Sequence, residues 1–325
     1  MTDSTAEQPD LLRAWHLPER TRVVEVGLRD GLQAVEQPLP TNTKLEIVDR
    51  LIAAGVQEIE VASFAHPKVL PQLADASEVI AALPRDGGTR YRALVPNLRG
   101  MERAAECALD EVAIVIPADD GMARKNQNRS TAELIADLAE VGAVARSVGQ
   151  RLVVGIACSF FAPCRGQVSE AERLRVVEAA LEAGAHGVYL ATTTGQEHPR
   201  EVYAGVRGVL DRYPDLDVGL HLHNRNGFAP ANALAGLSAG ANWLEASFSG
   251  LGGDMWFPGD PAVLGNMPTE DLLHLLDSIG VATGIDFEAY RLLAEDVTQL
   301  TGFPRASFVS RGGTRRALAE AEWPS

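Results

Sequence analysis

Cysteine is scarce in this chain, with only Cys107, Cys158 and Cys164 among 325 residues. An odd number without framework spacing argues against a disulfide scaffold and predicts a reducing, cytoplasmic setting. Long apolar runs are missing too. No stretch approaches the ~18 residues of a membrane span. The opening "MTDSTAEQPDLLRAW" has no basic segment followed by an apolar one, so no secretory signal is expected. Positive charge is in deficit: 29 Lys and Arg stand against 44 Asp and Glu, a formal net charge of −15 with a pI near 4.9. A surface that acidic argues against nucleic acid or anionic membrane as a partner, and a small anionic ligand would need a local cationic pocket. A P-loop, a Cys-x-x-Cys cluster and a G-x-G-x-x-G after the first strand are all absent.

What the chain does contain is a repeated alternation of elements. Eight short apolar runs recur: "VVEVGL" (23–28), "EIEVAS" (58–63), "YRALVP" (91–96), "EVAIVIP" (111–117), "RLVVGIA" (151–157), "HGVYLAT" (186–192), "DVGLHLH" (217–223) and "NWLEASF" (242–248). Most are near-continuous, the pattern of strands buried on both faces of a parallel sheet. Helical patterns such as "TKLEIVDRLIAAG" and "SEAERLRVVEAALEAG" lie between them. Ser169 is the expected N-cap of the second, and both end in Gly, a common helix stop. Eight β-then-α units over roughly 270 residues predict an α/β fold of the (β/α)8 TIM-barrel type rather than a doubly wound sheet. Residues 1–20 read as a tail or outer helix, 21–280 as the barrel, and 281–325 as C-terminal helices and tail packed on it.

Such barrels place their active sites at the C-terminal strand ends. Arg29, Asp30 and Gln33 follow the first strand, and Glu60 lies on the second. Lys125, Asn126 and Asn128 follow the fourth, Cys158 the fifth, and Thr192, Thr193 and Thr194 the sixth. The seventh supplies His221 and His223. After the eighth comes the glycine-rich "SGLGGDMWFPGDPAVLGN", ending at Asn266. Each has a plain reading alone: a surface ion pair, a backbone partner, a turn former, a packed thiol. An H-x-H pair is no metal site by itself. Convergence from at least six strand ends points to a shared site.

His221 and His223 share one side of a strand, because strand side chains alternate. With Asp30 and Asn266 they form a donor set of one carboxylate, two imidazoles and one amide oxygen. Without a thiolate, that set suits octahedral Mg²⁺ or Mn²⁺, with Co²⁺ or Zn²⁺ as alternatives, better than a closed tetrahedral zinc site. An open-sided cation is a Lewis acid for a bound carbonyl or alkoxide, and Arg29 would steady the negative charge that develops.

The segments "VVEVGLRDGLQ", "VPNLRG", "GFAPAN", "GLGG" and the "IEVASF", "HLH" and "TEDLLHLL" stretches resemble 3-hydroxy-3-methylglutaryl-CoA (HMG-CoA) lyase. That family belongs to the pyruvate carboxyltransferase-like superfamily of barrel metalloenzymes, and the likeness runs over about residues 20 to 310. It implies retro-aldol cleavage of an acyl-CoA. It also implies metal ligation by Asp30, His221, His223 and Asn266, enolate stabilisation by Arg29, and a supporting carboxylate at Glu60. Catalytic roles are thus expected for Arg29, Asp30, Glu60 and His221, and substrate contacts for Gln33, Lys125, Asn126 and Thr192. A homodimer agrees with the habit of relatives.

Three positions depart from the lyase pattern. Asp254 stands where the lyases carry a proton-transferring cysteine, so it is the expected replacement acid or base. Ala191-Thr192-Thr193 replaces Gly-Asp-Thr, and Asn224 follows the second histidine where an aspartate is usual. Proton-transfer groups are typically worth about 10²–10⁴-fold each, so a lyase with another 3-hydroxyacyl-CoA or hydroxy acid as substrate is expected. Met255, Trp256 and Phe257 are read either as a reshaped pocket lid or as loop aromatics packing on themselves. A condensing synthase of the same superfamily, or a catalytically lapsed barrel that binds a metabolite, are the alternatives.

Overall fold

A computed structural model describes residues 11–85, 87–253, 265–304 and 306–322. Eight parallel strands close in chain order into the expected (β/α)8 barrel. They are β1 (Arg22–Glu25), β2 (Glu58–Ser63), β3 (Arg90–Leu94), β4 (Glu111–Pro117), β5 (Arg151–Ala157), β6 (Gly187–Thr192), β7 (Asp217–Leu222) and β8 (Trp243–Ala246). β8 pairs back onto β1, with Glu25 opposite Ala246.

The pleat sends alternate residues to opposite faces. Val23, Ile59, Tyr91 and Leu244 join the large core between strands and helices. Val24, Val26, Val153, Tyr189, Ala191 and Trp243 form a separate small cluster that fills the barrel interior. Space there is tight: a Cβ on Gly155 would lie 2.1 Å from the Tyr189 ring, and one on Gly219 2.2 Å from Trp243. Two glycines therefore make room for two interior aromatics.

Helix ends follow local chemistry. Ser169 caps Glu170–Glu182 in a reciprocal capping box with Glu172, as its spacing predicts, and Ser130 with Glu133 does the same for Thr131–Ser147. Beyond the barrel, helix Phe287–Thr301 buries Tyr290, Leu293, Ala294 and Val297, while Arg315–Glu320 buries nothing. Among the described residues, no helix is long and apolar enough to cross a membrane.

Four of the predicted strands end earlier than expected, the third at Leu94 and the seventh at Leu222, and the first and eighth for a common reason. The first stops at Glu25, and Gly27–Gly31 winds into a π-helical turn in which the N–H groups of Arg29, Asp30 and Gly31 all reach the Val26 carbonyl. The eighth stops at Ala246 and continues as a 3₁₀ turn, Phe248–Gly250. The cause is shared. Glu25 folds back to accept the Gly27 N–H at 2.7 Å, and a Cβ on Gly27 would lie 2.5 Å from both that carboxylate and the Phe248 ring. Only glycine fits where the two turns meet.

Candidate active site

The π-helical turn after β1 presents Arg29 and Asp30 at the C-terminal mouth, both buried. Single-turn π segments of this kind are often found at functional sites. Across the barrel, β7 delivers His221 and His223 on the same inward face. A backbone bridge then brings Asn266 beside His223: Met267 donates to the Leu222 carbonyl at 2.7 Å, and Asn224 to the Gly265 carbonyl at 2.9 Å. Asn266 Nδ2 closes the set by donating to Asp30 Oδ2 at 2.6 Å and to the Leu251 carbonyl at 2.8 Å. Donor atoms of Asp30, His221 and His223 all lie within 4.8 Å of one another.

The hydrogen bonds fix where the lone pairs point. His223 Nδ1 lies 2.7 Å from the Thr193 carbonyl, which only accepts, so Nδ1 carries the proton. His221 Nδ1 lies 2.8 Å from the Glu245 carboxylate and is assigned in the same way. The two Nε2 atoms face each other at 3.1 Å. Burial, and then the neighbouring His221, push the His223 pKa down to about 4, so it stays neutral near pH 7. Burial alone would raise Asp30, but Arg29 and the two histidines hold it down at about 2. The Asn266 amide spends its N–H groups on two acceptors, leaving Oδ1 buried without a partner. Two facing imidazole Nε2 atoms, an orphaned amide oxygen and an ionised carboxylate together form a donor set that fits a divalent cation.

Supporting charges run inward from this set. Glu60 accepts from Arg29 Nε, and from Arg92 Nη2 at 2.7 Å and Nε at 3.1 Å. Arg92 also donates to Glu245, and its guanidinium lies 5.8 Å from the Tyr189 ring and 5.6 Å from the Trp243 ring. Burial works against the Glu245 carboxylate, but Arg92 and His221 pull its pKa below the usual value. Three buried carboxylates (Asp30, Glu60, Glu245) against two arginines leave one net negative charge beside the paired imidazoles.

Other expected residues fare differently. Gln33 joins the cluster by donating to Asp30 Oδ1 at 2.9 Å. Thr192, expected to touch substrate, has its hydroxyl occupied with backbone. It accepts the His223 N–H at 2.9 Å and lies 3.4 Å from the His221 carbonyl, so it steadies the His-x-His segment. Lys125 and Asn126 lie exposed on helix Asp120–Gln127 and bond to nothing in the cluster. Cys158 is fully buried at the end of β5 with φ 50°. Asp254, Met255, Trp256 and Phe257 lie outside the described residues. Sequence reading passed over Arg92 and Glu245; the available signal was a charge at an inward position of an otherwise apolar strand.

The chain is similar to known acyl-CoA lyases. The chain is 38% identical over 306 residues to the (R)-citramalyl-CoA lyase of Chloroflexus aurantiacus, covering 91% of this chain and 95% of that one. It is 32% identical over 290 residues to a hydroxymethylglutaryl-CoA lyase of Bacillus subtilis, covering 89% and 96%. The solved structure of an HMG-CoA lyase from Acinetobacter baumannii, in complex with coenzyme A and 3-methylmalate, superposes with a TM-score of 0.87 at 32% identity over 94% of this chain and 98% of that one. The HMGL-like family model matches residues 20–297, and the chain belongs to that family.

Proposed function

We propose that this protein is a divalent-metal-dependent carbon–carbon lyase that splits a 3-hydroxyacyl-CoA, or a related hydroxy acid, by retro-aldol chemistry. The observation that carries the reading is the convergence of His221 Nε2, His223 Nε2 and the Asp30 carboxylate within 4.8 Å of one another, beside the partnerless Oδ1 of Asn266. With both rings neutral and protonated at Nδ1, two lone pairs meet there, and a divalent cation relieves their repulsion.

Asp30, His221, His223 and Asn266 would hold the ion. When bound, it supplies Lewis acidity to the substrate's carbonyl and hydroxyl oxygens. The cluster's one net negative charge becomes one net positive with a divalent ion, which suits an alkoxide or enolate. Arg29 is held by Glu60 through Nε and by Asp30 through Nη1, which leaves Nη2 to donate to the enolate oxygen. As the hydroxyl proton departs, C3 becomes a carbonyl, the C2–C3 bond breaks, and its electron pair forms the enolate of the shortened acyl-CoA. Reprotonation at C2 completes the reaction. Asp254 is our candidate for the proton relay.

The substrate proposed is one other than HMG-CoA. Thr192 takes the place of a lyase carboxylate and binds backbone instead, and the relative at 38% identity is named for citramalyl-CoA. The test is a panel of 3-hydroxyacyl-CoAs, citramalyl-CoA and HMG-CoA included, assayed with Mg²⁺ or Mn²⁺ for release of acetyl-CoA or a homologue. Cleavage of a panel member that outpaces HMG-CoA is expected. Absence of cleavage across the panel, with metal bound, would refute the lyase reading.

A further inference from the structure

Two buried carboxylates, Glu25 and Glu270, sit outside the donor cluster and grip the turns on which it is built. Glu25 points away from the barrel interior that Val24 and Val26 fill. It accepts from the backbone N–H of Gly27 at 2.7 Å and of Phe248 at 3.1 Å, from the Thr269 hydroxyl at 2.8 Å, and from the Tyr290 hydroxyl. Glu270 accepts the very next amide, Ser249, at 3.0 Å, and its Oε1 has no partner.

Ser249 is left-handed, with φ 55°. Such a conformation costs a non-glycine residue about 1–3 kcal/mol and persists only where its surroundings over-determine it. Here they do. Besides the Glu270 contact, the Ser249 hydroxyl lies 2.9 Å from the Ala294 carbonyl and 2.6 Å from the Thr298 hydroxyl, both on helix Phe287–Thr301.

The gripped segments carry the donors. Gly27 opens the turn with Arg29 and Asp30, and Thr269 lies three residues past Asn266. The loop that starts at Phe248 supplies the Leu251 carbonyl that holds the Asn266 amide. That loop also touches both donors: a Cβ on Gly252 would sit 2.6 Å from Asn266 Nδ2 and 2.7 Å from the Asp30 carbonyl. A small shift at its root therefore moves or crowds Asp30 and Asn266.

We infer that Glu25 and Glu270 are positioning residues: they hold consecutive amides at the root of the glycine-rich loop, and with Tyr290 bonded to Glu25 and the Ser249 hydroxyl bonded to Ala294 and Thr298, helix Phe287–Thr301 sets the spacing of Asp30 and Asn266. Burial pushes both carboxyl pKa values to about 7, which on its own would mark them as acid–base catalysts. Neither reaches the donor cluster, so the geometry points to support.

The inference rests on the metal site proposed above, and the experiment separates the two. Mn²⁺ titration followed by electron paramagnetic resonance is run on the full chain and on Glu270→Ala, Glu270→Gln and Tyr290→Phe, with melting curves alongside. Glu270→Ala and Tyr290→Phe are expected to weaken Mn²⁺ binding on the order of tenfold and to alter the bound-ion spectrum while the protein stays folded. Glu270→Gln keeps an oxygen for the Ser249 N–H, so binding within about twofold of the parent is expected. Folded variants with the parent's affinity and spectrum would overturn the inference alone. A parent chain that binds no Mn²⁺ would overturn the metal reading and this inference with it. If Glu270→Ala does not fold, Tyr290→Phe, which lacks one hydroxyl, decides.

Discussion

The two mouths of the barrel are built from the same residue types and behave differently. At the N-terminal mouth Arg22 meets Asp217 at 2.6 Å and Glu58 at 3.3 Å, Arg90 pairs with Glu58, and Arg151 lies 3.7 Å from Glu111. Of these, Arg22, Asp217 and Glu58 line a cavity of about 300 Å³ together with Arg20, Asn242 and Thr283. The arginines are about one-third exposed or more, so water remains an alternative partner for each of them. At the C-terminal mouth Arg29, Arg92, Asp30, Glu60 and Glu245 have side chains at most 8% exposed. Water offers little there, and the charges do not balance. Exposure turns one ring into interchangeable salt bridges and the other into a buried cluster with one net negative charge.

The sharpest way to break this contrast is to remove an imidazole. His223→Ala or His221→Ala is expected to abolish Mn²⁺ binding and lower turnover by at least about 10³-fold, because the ion's several kcal/mol of transition-state stabilisation goes with it. Turnover at the parent level after either change would mean that the C-terminal charges, like those opposite, only pair with one another. Glu245→Gln comes next. It leaves His221 in place but removes one of three carboxylates and weakens the anchor of Nδ1. Calorimetry should show metal affinity reduced by about 10–100-fold with the fold retained. An unchanged affinity would refute the charge-deficit account.

A buried carboxyl with no cation nearby has another remedy, which is to keep its proton. Glu197, fully buried in the loop after β6, accepts the Thr194 N–H at 3.3 Å and has a partnerless Oε2. Burial pushes its pKa up to about 7. Between about pH 4.5 and 7 the unfolded chain has lost this proton and the folded one keeps it, so stability falls as pH rises through that window. Below it, both states are protonated and nothing is lost. Glu197→Gln is therefore expected to flatten the decline, with a gain of up to about 3 kcal/mol at pH 8 and little change at pH 4.5. Melting curves at the two pH values check this, and equal gains at both would contradict it.

Which of these features sequence reading reaches depends on where the residue lies. The barrel was readable because eight apolar runs alternate with helical periodicity. The donors Asp30, His221, His223 and Asn266 were readable because each stands at a strand end or closes a loop at the expected mouth. Arg92 and Glu245 were not, since they lie inside strands and are paired across 153 positions, a distance only the barrel register closes. Glu25 hides in the same way. The segment "RKNQNRS" with Lys125 and Asn126 reads as a loop, whereas the chain stays helical to Gln127 and only Asn128 turns, as the left-handed cap at φ 54°. Nothing local to Thr192 says that its hydroxyl faces the backbone of the next strand.

The smallest effect belongs to the N-terminal mouth and carries the other half of the contrast. Arg22→Met removes the bonds to Asp217 and Glu58 but keeps an aliphatic stem against the neighbouring strands. Glu58 retains Arg90, and Asp217 is partly open to water. Exposed pairs of this kind contribute about 1 kcal/mol or less, so the melting temperature should fall by only a few degrees. The difference should shrink further in high salt, which screens exposed charge. Turnover and metal affinity should stay within about twofold of the parent, since no bond runs from Arg22 to Arg92 or Glu60. One connection makes this a demanding test: Glu111 at the N-terminal end lies 3.6 Å from Arg92, the arginine that holds Glu60 and Glu245. If Arg22→Met lowered Mn²⁺ affinity tenfold without unfolding the chain, charge would be coupled along the whole barrel interior, and the two mouths would have to be treated as one electrostatic unit.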